Sequence, residues 1–180
     1  EKDSRKKNLD LFFQNGFPNK KKEDWKFTDL NNILGKNFNN IINKDFVPEN
    51  KKLKIIEEFE HNFIFLVDGK LISNSFDYED KNNIIVKNYN YKNEVKLNIQ
   101  SSLTLLNNAL ATGGFTLEVS KNYKFIKPLV IYNYFSKNLK ESIINNKNSI
   151  ILNDNTELTL INYIDDDSKD NFMTNTIDNI

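Results

Sequence analysis

The hydrophobic period changes at one point in this chain, and that change limits the fold more than any other feature. Over 101–112 the apolar residues recur at helical spacing. Leu103, Leu106, Ala109 and Leu110 share one face, with Ser101 or Ser102 as the cap. After Gly113-Gly114 the period becomes two, and Phe115, Leu117 and Val119 alternate with Thr116, Glu118 and Ser120. The glycine pair reads as a helix stop. Because it follows a helix instead of preceding one, it is no phosphate cradle. Further β runs are expected at 129–135 (introduced by Lys127-Pro128), 148–152, 157–164 and 172–180. No helical pattern intervenes, so the chain reads as all-β from about residue 115 onward.

The earlier half is mixed. Ser4 is a plausible cap for a first helix carrying Leu9, Phe12 and Phe13 on one face. Gly16 can take the left-handed conformation that ends it, and Pro18 prevents it from resuming. Lys20-Lys21-Lys22 is a solvated turn. Glu23 and Asp24 favour the start of a second helix, with Phe27, Leu30, Ile33 and Leu34 on one side and an end near Gly35. Trp25, the only Trp, is expected to anchor it, and Trp25→Ala to cost about 3–5 kcal/mol if the ring is in the core. Phe38, Ile41 and Ile42 suggest another helical turn before Pro48. The 51–60 stretch is ambiguous. Asp68-Gly69 is a strong two-residue hairpin signal between 63–67 and 70–72. The polar 73–95 reads as a surface excursion with a short strand at 84–86.

Composition narrows the function classes. A formal net charge of +0 argues against a general nucleic-acid binder. Residues 1–26 hold eight Lys/Arg against five Asp/Glu, and 153–180 hold one Lys against seven Asp/Glu, an asymmetry that solvated faces explain. The absence of Cys excludes disulfides, thiolate catalysis and Cys-ligated metal within these residues. No apolar run reaches the ~18 residues that span a bilayer, so no membrane partner is expected.

Candidate chemistry is sparse. His61 is the only His, with Glu57, Glu58 and Glu60 as local co-ligands, and a surface His beside acids is the commoner arrangement. Asp165-Asp166-Asp167 with Asp170 could hold a divalent cation but lacks the Gly and distal Glu of an EF-hand loop; a solvated turn is favoured. Trp25 and Phe27 beside Lys26 could mimic a base-stacking platform, though their helical spacing suggests a core anchor. Glu118 and Glu157 are the outward carboxylates that a polysaccharide-acting solenoid enzyme would need close together.

One family is similar over most of the chain. Gly16-Phe17-Pro18, a basic run and Glu23-Asp24-Trp25-Lys26-Phe27-Thr28-Asp29-Leu30 resemble the opening of the SufD family, scaffold subunits of SUF iron–sulfur cluster assembly. Leu106-Asn107-Asn108-Ala109-Leu110-Ala111, the glycine pair and Lys127-Pro128-Leu129-Val130-Ile131-Tyr132 follow in that family's order, while 36–95 is weak. The related SufB shares the β-helix; the N-terminal run points to SufD. The resemblance implies an α+β chain, mainly helical over 1–112 with a β-hairpin near 63–72. Residues 113–180 would be the first coils of a right-handed parallel β-helix, a single-stranded β-solenoid. It implies a cytoplasmic, non-catalytic scaffold with SufB-like and SufC-like partners, SufC being the ATPase. It implies no catalytic, cofactor-binding or metal residue in this chain, the cluster being held by Cys and His of later coils. It also implies an N-terminal piece or a truncated relative, since family members continue through more coils. The rival expectations are the polysaccharide-acting enzyme and a generic interaction module using the acidic C-terminal stretch.

Overall fold

The structure, a computed structural model, describes residues 2–21, 23–37, 52–91 and 101–180. The architecture is α+β: an N-terminal helical segment followed by one curled, mixed sheet.

Helix α1 (Lys2–Asn15) ends as its sequence predicts. Gly16 has φ +63°, and its N–H donates to the Phe12 carbonyl at 2.7 Å. Phe12 alone in α1 is buried, against Leu105 and Leu106 of α3 (Ser102–Leu110) and edge-on to Phe17. Phe13 is 68% exposed, contrary to the expected apolar face. It stands about 100° around the helix from Phe12, beyond the stripe that α3 covers.

The second helix starts later than expected. Glu23–Trp25 is a single 3₁₀ turn, and the Thr28 N–H bonds to the Trp25 carbonyl at 2.9 Å. Asp29 then caps α2 (Leu30–Asn37), accepting from the Asn32 N–H at 3.1 Å. Leu30 and Leu34 are buried against Ile143, whereas Phe27 and Ile33 are exposed and Trp25 is only half-buried at the cluster's rim. The helix passes through Gly35 instead of stopping there. Phe38, Ile41 and Ile42 lie outside the described residues.

Among the described residues eight strands form the sheet: β1 (Asn62–Val67), β2 (Lys70–Ser75), β3 (Ile84–Asn88), β4 (Gly113–Val119), β5 (Leu129–Phe135), β6 (Ser142–Leu152), β7 (Leu160–Asp166) and β8 (Phe172–Asn179). Their order is β7-β5-β1-β2-β4-β6-β8, with β3 alongside β4. The β1–β2 hairpin turns on Asp68 and Gly69, both at positive φ. It and the antiparallel β3–β4 pair make the sheet mixed, where a pure stack of parallel coils would have neither. The rest of the ladder is parallel. Gly113 pairs with Asn146, Leu129 with Leu160 and Ser142 with Phe172. The chain thus returns to the same lateral position every ~30 residues, the size of one structural repeat.

Two local readings are corrected here. The helix stop is Ala111, whose N–H bonds to the Asn107 carbonyl, and the glycine pair instead opens β4. The Gly114 N–H donates to the Gly69 carbonyl at 2.7 Å, φ is +114°, and a Cβ would collide with the Lys147 carbonyl. Close approach of three backbones, not helix termination, requires glycine there. Strand β6 begins at Ser142, six positions before the expected 148, because its polar Asn145, Asn146, Lys147 and Asn148 are all buried. The inner core packs Ile64, Leu66, Phe115, Leu117, Leu129 and Ile150. The opposite face of β1 and β5 carries Phe65, Val130, Tyr132 and Tyr134, covered by Leu53 and Ile56 of an irregular strap.

Candidate functional site

Stacked side chains at equivalent positions of successive parallel strands are the organising feature. Tyr132 of β5 meets Tyr163 of β7 in register, ring centroids 5.3 Å apart. Asn145 of β6 faces Asn175 of β8, whose amide donates to the Asn145 side-chain oxygen (2.9 Å) and to the Leu103 carbonyl of α3 (2.9 Å). Asn107 of α3 donates to the Asn146 and Asn175 carbonyls, so the helix is hydrogen-bonded to the strand pair it covers. At the turns, Asn122 and Asn155 both adopt positive φ and join through their side chains at 3.0 Å. Lys124 ion-pairs with Glu157 across the adjacent parallel bridge. These in-register amide bonds favour one strand pairing over others, although Asn107 Oδ1 and Asn145 Nδ2 are buried without a partner, which offsets part of the gain.

A second polar centre ties the first half to the coils. Glu79, almost fully buried, accepts from Asn62 (2.8 Å), from the Tyr123 hydroxyl (2.8 Å) and from the backbone N–H groups of Ile126 and Lys127 (3.1 and 3.0 Å). Burial pushes this carboxyl up. The Lys127 and Ile126 amides, with Asn62 and Tyr123, pull it down further, and it ends below the usual carboxylate range. Lys147 is a buried cation bonded to the Asn108 side chain. Burial, with Arg5 adding repulsion, lowers it to about 8. Arg5 itself donates to the Ala109 and Ala111 carbonyls at the C-terminal end of α3, where a cation is favoured.

The residues singled out from sequence are dispersed. His61 is buried, not at the surface. Its Nδ1–H meets the Phe59 carbonyl at 2.9 Å, and Nε2 accepts from the Tyr132 hydroxyl at 2.7 Å, so both ring nitrogens are already bonded. Of its proposed co-ligands, Glu60 pairs with Lys127 at 2.6 Å. In the acidic run, Asp167 accepts from the Tyr134 hydroxyl and Asp166 from the Ser168 N–H, while the Asp170 carbonyl accepts from the Ser168 hydroxyl. These are turn and strand-end bonds. Among the described residues no three of His, Cys, Asp and Glu are grouped to hold a metal ion. Glu118 lies opposite Ile85 and Ile151 while Glu157 pairs with Lys124, so the two carboxylates have different neighbours. Trp25 packs toward Leu30 and Leu34, and Phe27 stands out in solvent under Lys26.

Sequence reasoning missed Glu79, Lys147 and the asparagine pairs. Glu79 lies in the polar 73–95 stretch with no periodic signal. The spacing of Asn122 and Asn155, each following a β run, was a readable sign of repetition.

With this geometry described, the comparisons with known proteins narrow the class. Residues 2–79, from α1 to just past β2, match the family described as SufBD protein N-terminal region. The match supports the SufB/SufD family and suggests involvement in SUF iron–sulfur cluster assembly. No curated protein matches the chain. No helix among the described residues is long and apolar enough to cross a membrane.

Proposed function

We propose that this protein is a SufD-type scaffold of the SUF system, acting in the cytoplasm with SufB-like and SufC-like partners and performing no catalysis itself. The observation that carries this reading is the family match over residues 2–79. The Glu23-Asp24-Trp25-Lys26 run within that match favours SufD over SufB.

In this reading residues 113–180 wind as coils of a right-handed parallel β-helix, and 1–112 form its mainly helical head with the β1–β2 hairpin. Parallel pairing of β4 with β6 and β8, and of β5 with β7, supports it. So does the repeated left-handed asparagine at positions 122 and 155. The right hand is the sense that strand twist favours for a crossover between parallel strands. The hairpin and β3 close the first coil, giving its backbone groups partners. The cluster is cargo. The Cys-free chain offers no thiolate to hold it, so its contribution is architectural.

The test is depletion of the protein in its own cells with re-expression of a resistant copy. Loss of activity of iron–sulfur enzymes, restored by the copy while iron uptake stays constant, is the expected result. Unchanged iron–sulfur enzyme activity after complete depletion would overturn the proposal.

A further inference from the structure

The irregular strap over 52–60 is held to the sheet by one set of side chains and presents another. Leu53 and Ile56 pack on the outer cluster of β1 and β5, and the Ile56 N–H donates to the Tyr132 hydroxyl at 3.0 Å. His61 below pins its end to the same hydroxyl. With these facing inward, Ile55 and Phe59 are left 45% and 38% exposed. Across from them, just past the end of β2, Tyr78 is 40% exposed. The strap and the β2 end enclose a groove of about 520 Å³.

Its charge is one-sided. Glu57, Glu58, Glu60 and Asp77 line it, and among the described residues no Lys or Arg does. Two of these are neutralised from outside, Glu60 by Lys127 and Asp77 by Lys81, each at 2.6 Å. Glu57 and Glu58 have no ion-pair partner among the described residues. Solitary exposed apolar residues need no explanation, but three bordering one groove with two uncompensated carboxylates form a surface of defined chemistry.

We propose that this groove binds a short segment of a partner protein in which Lys or Arg residues are interspersed with aliphatic or aromatic ones. The apolar side chains would cover Ile55, Phe59 and Tyr78, and the cations would meet Glu57 and Glu58. Its sign repels phosphate backbones and anionic lipid surfaces, which leaves a basic polypeptide as the complementary macromolecule. The inference stands on the groove's own chemistry and does not depend on the iron–sulfur reading.

The test uses the 180-residue chain and a fluorescein-labelled eight-residue peptide of alternating Lys and Leu, followed by anisotropy at about 0.15 M salt. Peptides of alternating Glu and Leu and of alternating Lys and Ser serve as controls. Saturable one-to-one binding of the Lys-Leu peptide is expected, with both controls at least about tenfold weaker. The double variant Glu57→Gln/Glu58→Gln and the single variant Phe59→Ser should each weaken it by about tenfold, with unchanged circular dichroism. Neutralising Asp165 and Asp166, acidic but outside the groove, should not. Equal binding to the Glu57/Glu58 variant would overturn the proposal. So would equal binding of the Lys-Ser peptide, or equal loss on neutralising Asp165 and Asp166.

Discussion

Glu79 and Lys147 are buried charges with opposite consequences. Glu79 is matched by donors on every side, so Glu79→Gln should cost about 2–3 kcal/mol in urea unfolding at pH 7, from weakened bonds to two amides and a hydroxyl. Its folded-state pKa lies below its unfolded value, so its stabilisation is present above the unfolded value and is lost as pH falls through the folded one. The Gln variant should therefore show a shallower acid limb than the native protein; parallel acid limbs would contradict this. Lys147 is a different case, because its folded pKa of about 8 lies below the unfolded value. Below pH 8 both states are charged and burial is a cost. Between about 8 and 10.4 the unfolded chain holds more protons, and stability rises. Lys147→Met should remove that rise, up to about 3 kcal/mol, and be no less stable at pH 7. The comparison is made against the variant because Tyr123 and Tyr132, raised mainly by burial, lower stability at still higher pH. Neither group was legible in the sequence. Glu79 sits among polar neighbours, and Lys147 interrupts a run that period-two alternation places at the surface; only partners far along the chain bury them.

At the scale of elements, strong local chemistry was readable and marginal chemistry was not. The Asp68-Gly69 hairpin, the Ser101 cap and strand β5 stand where expected, since turn geometry, capping and an apolar run each suffice locally. Helix α2 failed because the helical preference over 23–29 is weak and Asp29 makes a better cap than Glu23. Strand β6 was half-seen because its first part buries amides instead of hydrocarbon. The half-burial of Trp25 revises its expected contribution. Trp25→Ala should cost about 1–3 kcal/mol in urea unfolding, below the core-Trp range. A loss above about 4 kcal/mol would place the ring deeper than the structure does.

For the whole molecule, the parallel return every ~30 residues is what a solenoid reading requires. The Cys-free chain allows that register to be probed cleanly. Thr116 and Ser149 are direct partners across β4 and β6. A Thr116→Cys/Ser149→Cys variant should form an intramolecular disulfide on mild oxidation, because adjacent strands lie ~4.8 Å apart, within disulfide reach. Thr116→Cys/Asn153→Cys, displaced along the same pair, should not; the reverse result would mean a different register of β4 on β6. The family match ends at residue 79, so the functional reading extends beyond it through this architecture. The most direct test is affinity purification of the protein from its own cells under mild conditions, with stoichiometry measured by mass spectrometry. The account predicts a SufB-type protein and a SufC-type ATPase in near-equal amounts with it; recovery of the protein free of both would contradict it.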